Sequence, residues 1–253
     1  MIQPALAPIG LAIAAFFFGG SAGPLQNSED GLEQVPRPIR GFESSGLDAQ
    51  DEPGVNPDLS DDISQVRSAA ERGSAKAQFS MGLKYRDGTG VPKSGEEAVK
   101  WFLLAADQGH CEAQFYLGIC HASGDGVPRD NVEAVKWCRL AAGQGHPAAQ
   151  YIMGAQYVVG EHVPKNGTEA IKWYRLAADQ GHDKAQYTMG LAYQFGNGVP
   201  KNGTEAIKWY RLAADQGQAG AQFAMGLARQ FGIGKSVPKN GTEAVKWYRL
   251  AAD

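Results

Sequence analysis

The 253-residue chain lacks an excess of either charge and is poor in cysteine. It carries 24 Lys and Arg against 27 Asp and Glu, for a formal net charge of −3. This balance argues against a nucleic-acid partner, because proteins that bind nucleic acids usually have a strong basic excess. The three cysteines form no CxxC spacing, which argues against a zinc site. The 33 glycines follow no G-X-Y triplet, and 43% apolar residues is too many for a wholly disordered chain.

Basic residues are also missing from the start of the chain, where the first is Arg37. Residues 1–23 are apolar, and Ile9–Phe18 is a run of ten apolar or small residues. Ten residues are too few for a transmembrane helix, which needs about 20, but they suit the core of a signal peptide. We therefore predict no transmembrane segment, a signal peptide over residues 1–22 and a secreted or periplasmic protein. Because the basic n-region is missing, a cytoplasmic protein with an apolar start is the alternative.

Residues 23–60 have a different composition, with five prolines and eight acidic residues against two arginines. The net charge is −6 over residues 1–60, which leaves +3 for the rest of the chain. No helical or alternating apolar pattern occurs there. The segment is predicted to be a disordered acidic tether.

From residue 61 onward the sequence repeats itself. Trp101, Trp137, Trp173 and Trp209 are 36 residues apart, and Trp247 follows after 38. An Ala-Gln pair and an interior glycine keep the same step in every unit. The glycines are Gly82, Gly118, Gly154, Gly190 and Gly226. The predicted units are residues 74–109, 110–145, 146–181, 182–217 and 218–253. A fixed period of this length is typical of a solenoid, in which each unit buries its apolar face only against its neighbours.

Each unit is predicted to form two helices, here called helix A and helix B. In the fourth unit these run from about His182 to Phe195 and from about Gly203 to Gln216. A Ser, Asp or Asn three residues before a Glu precedes every helix B, which predicts a capping box in which the Glu reaches back to the cap. A glycine inside helix A costs about 1 kcal/mol relative to alanine, so its fivefold recurrence predicts a close helix–helix contact. Residues 61–73 resemble a degenerate helix B that caps the N-terminal end.

Two segments of the fourth unit, Val199–Gly217 and His182–Tyr193, resemble the Sel1-like repeat. The resemblance covers about residues 74–253. It implies an all-α fold, a right-handed α/α superhelical solenoid of about five 36-residue helix-turn-helix repeats related to tetratricopeptide repeats. It also implies a scaffold or adaptor that binds other proteins.

The histidines and cysteines have structural interpretations. His110, His146 and His182 recur at the period of the repeat, so they lie one unit apart and cannot converge on one metal ion. They are predicted to be polar residues at the start of helix A. Cys138 lies at a position that holds an aromatic residue in the other units, which favours a small buried side chain. A disulfide between Cys138 and Cys120 is the alternative. We predict no catalytic residue, metal or cofactor.

Columns of helix A that vary between units mark a candidate partner-binding stripe. Three such columns are spaced i, i+4 and i+7, which places them on one side of the helix. A solenoid stacks these stripes into a groove, whose predicted contact residues are Lys84, Tyr116, Ile152, Gln156, Val159, Thr188, Phe195 and Phe231. The alternative is that these positions vary because they lie on a solvent-exposed face that binds no partner.

The predicted function is a non-catalytic scaffold that binds a protein or peptide in this groove. Two alternatives stay open: a β-lactam-binding or hydrolysing enzyme, as described for cysteine-rich Sel1-like proteins, and a structural protein of the cell surface or envelope. Helix B continues into a Gln-Gly pair in the other units but stops at Asp253 in the last. This predicts either a fragment or end-to-end association through the uncapped last helix.

Overall fold

The computed structural model describes residues 63–232 and 238–252. The predicted signal peptide and acidic tether lie outside these residues. Within them the chain is entirely helical and forms eleven helices in a stack. They are α1 (Ile63–Glu71), α2 (Ala75–Asp87), α3 (Gly95–Asp107), α4 (Cys111–Ser123), α5 (Asn131–Gly143), α6 (Pro147–Val159), α7 (Gly167–Asp179), α8 (Asp183–Phe195), α9 (Gly203–Asp215), α10 (Ala219–Phe231) and α11 (Gly241–Leu250).

The even-numbered helices are the A helices of the five units and the odd-numbered helices from α3 onward are the B helices. Extensive contacts join only helices that are consecutive in the chain. Each core cluster of buried residues therefore draws on two to four successive helices, as in other solenoids. α1 buries Val66, Ala69 and Ala70 against α2 and caps the stack as predicted.

The helix ends follow the local sequence closely. Each A helix ends at a glycine with positive φ, such as Gly196 at 79°, a conformation that favours glycine. Each B helix begins at a Ser, Asp or Asn whose side chain accepts a backbone N–H bond, as from Glu205 to Asn202 at 3.1 Å. These ends are encoded within a few residues and recur in every unit.

The prediction that the glutamate of each capping box reaches back to the backbone N–H of the cap residue was wrong. The backbone N–H of each B-helix cap donates to a carbonyl near the end of helix A, as from Asn202 to Tyr193 at 2.8 Å. In the first four units the glutamate pairs with the lysine three residues on, for example Glu205 with Lys208 at 2.5 Å. In the fifth unit Glu243 pairs with Arg229 of α10 at 2.7 Å. The tight A–B turn supplies an acceptor that the local sequence pattern does not show.

The interior glycines lie where predicted, at the closest approach of helices A and B. A Cβ atom on Gly154 would stand 2.6 Å from two ring carbons of Tyr174, and one on Gly118 would stand 2.5 Å from Cys138 Sγ. The remaining three glycines face Phe102, Tyr210 and Tyr248 in the same way. The glycine column therefore exists because an aromatic ring, or once a thiol, fills the space a methyl group would need.

A buried glutamine in each A helix bridges the helices on both sides of it. Gln150 of α6 donates from Nε2 to the carbonyl of Ala142 on α5 at 3.3 Å. Its Oε1 accepts from Gln180, at the end of α7, at 2.8 Å. Gln78, Gln114 and Gln186 make the equivalent pair of bonds. Gln222 donates to Ala214, but its buried Oε1 has no partner among the described residues.

The three cysteines are free thiols. Cys138 Sγ points at Gly118, whereas Cys120 lies two residues further along α4 and so about 200° around that helix. The Cys120–Cys138 disulfide that the sequence left open is not formed, and Cys138 is the small buried residue that its position in the repeat indicated. Across the described residues, no helix is long and apolar enough to cross a membrane.

Candidate partner-binding surface

The eight predicted contact residues lie at very different depths. Ile152 and Thr188 are buried in the A helices of the third and fourth units, and the Thr188 hydroxyl donates to the Lys184 carbonyl at 2.8 Å. Gln156 is also buried, and its Oε1 has no hydrogen-bond partner among the described residues. These three side chains pack inside the stack and offer little surface to a partner.

The remaining five are accessible. Lys84, Tyr116 and Val159 are half-buried, Phe195 is 40% exposed and Phe231 is 59% exposed. Whether any of them contacts a partner stays a prediction.

Val159, Phe195 and Phe231 form what we call the apolar row. Each is the last residue of its A helix, directly before the glycine that ends it. The same position holds Asp87 and Ser123 in the first two units. The surface therefore changes from polar to apolar along the solenoid. Large apolar side chains that recur on one edge of successive units are typical of an interaction site rather than of single exposed residues.

The N-terminal end of this surface is an aromatic cluster with a charged rim. Tyr116 stacks on Phe102 with ring centroids 5.4 Å apart, and the Arg86 guanidinium lies 4.8 Å from the Tyr116 centroid. Arg86 also forms a two-pronged ion pair with Asp87, with bonds of 2.7 and 2.8 Å. That pairing lowers the pKa of the Asp87 carboxyl, so the rim keeps both charges at neutral pH.

The three repeated histidines are helix caps and not ligands. Nδ1 of His146 accepts from the backbone N–H of Ala149 at 3.2 Å, and the imidazole ring stacks on Phe115 with centroids 4.2 Å apart. His110 stacks on Phe79 and His182 stacks on Tyr151, and Nδ1 of each accepts the equivalent backbone N–H bond. Gln218 takes the same role in the fifth unit. Across the described residues, no group of three potential ligands could hold a metal ion.

These caps make stability depend on pH. Burial is the main cause that lowers the pKa of His110, His146 and His182, against the opposing charges of Glu112 and Asp183. A lowered folded-state pKa means that the unfolded chain binds protons first. The stabilisation is therefore complete above the ordinary histidine pKa of about 6.5 and is lost as the pH falls below it.

We expect the urea midpoint to fall as the pH is lowered from 7.5 towards 5, and we expect a variant with all three histidines replaced by glutamine to lose most of that dependence. Gln218 shows that glutamine can form this cap in the same fold. An equally steep pH dependence in the glutamine variant would contradict the assignment.

The thiols are poor nucleophiles. Burial raises the pKa of Cys120 to about 11 and that of Cys138 to about 12, and it also raises the pKa of Cys111. All three are therefore protonated near neutral pH, and a thiol acts as a nucleophile only after losing its proton.

Eleven helices stacked in consecutive pairs across the described residues define the chain as an α/α-repeat protein. The Sel1 repeat family model matches five consecutive segments, residues 75–110, 111–146, 147–182, 183–218 and 219–253. The chain belongs to the Sel1 repeat family. Its matched segments begin one residue after the units read from the sequence. Proteins of this family generally mediate protein–protein interactions, and the fold is typically a non-catalytic scaffold.

Two solved structures of the same kind are similar to this chain. One is a protective antigen of uropathogenic Escherichia coli strains, with 39% identity and a TM-score of 0.70 over 76% of this chain. The match covers 40% of that antigen's length. The other is a Sel1 repeat protein from Oxalobacter formigenes, with 37% identity and a TM-score of 0.69 over 75% of each chain. No curated protein matches the sequence.

Proposed function

We propose that this protein is a non-catalytic scaffold that binds an extended segment of a protein partner along the A-helix surface. The observation that carries the proposal is the exposure of Phe195 and Phe231 at the same position of consecutive units. The partner segment would place apolar side chains at the interval of the repeat, over the apolar row. Its polar end would lie over the charged rim formed by Arg86 and Asp87.

A displayed library of random peptides, selected on the purified full chain, tests this surface. We expect selected peptides to bind a Phe195→Ser/Phe231→Ser variant about tenfold or more weakly, since buried aromatic anchors at interfaces each contribute more than about 1 kcal/mol. Leu103→Ser is the matched control, because Leu103 is similarly exposed but lies on a B helix. Equal binding by the folded double variant would refute the proposed surface.

The enzymatic alternative has its own discriminating measurement. A β-lactam hydrolase would turn over nitrocefin, whereas the proposed scaffold would not. The raised thiol pKa values argue against Cys120 or Cys138 as the nucleophile of such an enzyme, because a thiol attacks only after losing its proton. Turnover that copurifies with the protein and survives mutation of the apolar row would favour the enzyme.

We also propose that the protein acts outside the cytoplasm, in the periplasm or as a secreted protein. The apolar run Ile9–Phe18 supports this location, because its length suits a signal-peptide core. Cell fractionation with N-terminal sequencing tests it: a chain recovered from the cytoplasm with Met1 intact would contradict the proposal.

A further inference from the structure

Each turn between helix A and helix B carries one exposed basic residue, which directly precedes the cap of helix B. These residues are Lys93, Arg129, Lys165, Lys201 and Lys239. None of them forms an ion pair with another described residue, whereas the lysines within the B helices of the first four units each pair with a glutamate. A Cβ atom on Gly196 would stand 3.4 Å from Lys201 Cβ, so the lysine stem lies against the glycine that follows Phe195. In this unit the cation therefore lies beside a side chain of the apolar row.

The charge of this edge changes along the stack. Between the last residue of helix A and the cap of helix B, each of the first three units includes acidic residues. These acids are Asp87, Asp125, Asp130 and Glu161. The corresponding residues 195–202 and 231–240 of the fourth and fifth units include none, and the glutamates that follow, Glu205 and Glu243, are already paired with a basic residue. The last two units thus combine an exposed aromatic ring with an unopposed positive charge. We call this set the cationic edge: Phe195, Lys201, Phe231 and Lys239.

α1 begins on this same edge of the stack. Its first residue, Ile63, has its Cδ1 atom 3.3 Å from where a Cβ atom on Gly90 would stand, and Gly90 belongs to the first A–B turn. Each later turn lies against the start of the preceding B helix. A Cβ atom on Gly198 of the fourth turn would stand 3.1 Å from the carbonyl oxygen of Gly167, which begins α7. The edge that starts beside Ile63 therefore continues, turn by turn, to the last two units.

Residues 23–60, the predicted acidic tether, are complementary to the cationic edge in charge. They carry eight acidic residues against two arginines, and residues 29–33, Glu-Asp-Gly-Leu-Glu, set three acids around a leucine. The 29 residues between Glu33 and Ile63 can span about 100 Å when extended. α10 lies nine helices beyond α1, which is about 70–90 Å along a straight stack at the usual interaxial distance and less along a curved one. The acidic stretch is therefore far enough from α1 along the chain to reach both aromatic rings of the edge.

We propose that residues 23–60 of this chain dock on the cationic edge and cover the apolar row until a partner displaces them. The docking sets Leu32 against the exposed rings of Phe195 and Phe231, and the flanking carboxylates near Lys201 and Lys239. The chain's own segment is the occupant because its attachment to α1 holds it at an effective concentration of about a millimolar, at which a weak complementary contact suffices. The inference rests on the proposed function only for what displaces the segment, since the docking itself is intramolecular and is measured without a partner.

Zero-length carbodiimide coupling of the full chain, mapped by mass spectrometry, tests the docking. We expect amide bonds between carboxylates of residues 29–33 and a lysine of the fourth or fifth turn. Lys76 and Lys184 are the internal controls, because both are exposed but lie at the start of A helices, on the opposite edge of the stack. The absence of these bonds, or equal coupling to the control lysines, would overturn the proposal. Bonds that form only between chains, as a mixture of isotopically labelled and unlabelled protein reveals, would also overturn it and assign the edge to a second copy.

A fluorescent synthetic peptide of residues 23–45 measures whether the edge is occupied. It should bind the full chain carrying Glu29→Gln/Asp30→Asn/Glu33→Gln at least about tenfold more tightly than the unsubstituted chain, whose own segment competes. Equal binding to the two chains would refute the docking. If peptides selected from the random library also bind both chains equally, the docking fails and the proposed function stands, whereas docking without any selectable peptide would show the reverse.

Charge reversal locates the contact. In the chain with the three neutralised acids, Lys201→Glu/Lys239→Glu should weaken binding of the synthetic peptide about tenfold or more, and Lys76→Glu/Lys184→Glu should leave it nearly unchanged. All four lysines precede or begin a helix, where glutamate is favourable, so circular dichroism should show an intact fold. Equal weakening by the two pairs would mean that net charge and not the cationic edge holds the peptide, which would overturn the proposal.

Discussion

Replacing Gly154 with alanine is expected to lower the free energy of unfolding by about 1–3 kcal/mol, the usual cost of overpacking a core. The added Cβ would stand 2.6 Å from ring carbons of Tyr174, which is buried between repeats. The buried ring also packs against Tyr151, with centroids 5.5 Å apart, so relieving the clash requires the ring or the helices α6 and α7 to shift. The gain of about 1 kcal/mol in helix propensity opposes this cost without cancelling it. Urea unfolding followed by circular dichroism measures the change.

The same substitution at Gly143 is the matched control. Gly143 ends α5, and a Cβ atom there would have no neighbour within 4 Å. We expect Gly143→Ala to leave stability unchanged or raise it by up to about 1 kcal/mol. Gly154→Ala should also cease to destabilise in a Tyr174→Ala background, because the clash is then absent. If both alanine variants responded alike, helix propensity and not packing would explain the glycine column.

Replacing Gln150 with leucine is expected to cost about 2 kcal/mol, since two hydrogen bonds are lost and each contributes about 1 kcal/mol net. These are the bonds to the Ala142 carbonyl and from the Gln180 side chain, and they join α5, α6 and α7. The side chain is 4% exposed, so water cannot replace the lost partners. Thermal unfolding of the full chain should show the loss as a lower midpoint.

A double-mutant cycle with Gln180 provides the control, because the Gln180 side chain donates one of the two bonds to Gln150. In a Gln180→Ala background, Gln150→Leu should cost clearly less than in the unsubstituted chain, since the bond between the two side chains is already absent. Equal losses in the two backgrounds would mean that the bond from the B-helix glutamine contributes nothing. That result would remove the glutamine bridge from the explanation of how neighbouring repeats are held together.

Much of the fold could be predicted because its determinants are local and repeated. The cap residues and terminal glycines set the helix ends, and the fourth unit shows them within one residue of the prediction: α8 ends at Phe195 and α9 at Asp215. The interior glycine predicted a close contact correctly, since a costly residue kept in every unit needs a steric reason. The role of the capping-box glutamate was predicted wrongly, because the backbone N–H of the cap residue donates to a carbonyl of the preceding A helix instead.

The candidate surface could be predicted only in part. Variation between units identified the stripe that contains Phe195 and Phe231, but the same criterion selected Ile152 and Thr188, which the stack buries. The half-exposed leucine of each B helix, Leu212 in the fourth unit, was missed because it hardly varies between units and only variable positions were selected. Its signal was nonetheless present: Leu212 lies off the helical stripe formed by Ala206, Trp209 and Tyr210.

The sequence by itself determined the repeat, the helix boundaries and the glycine contact, because each depends on residues close together in the chain or on a period that can be counted. Only the tertiary structure decided which positions of a repeated column are exposed. Burial in a solenoid depends on the side chains that the adjoining units contribute, and these differ along the stack. For that reason Tyr116 is only half-buried, whereas Ile152 at the same position of the next unit is buried.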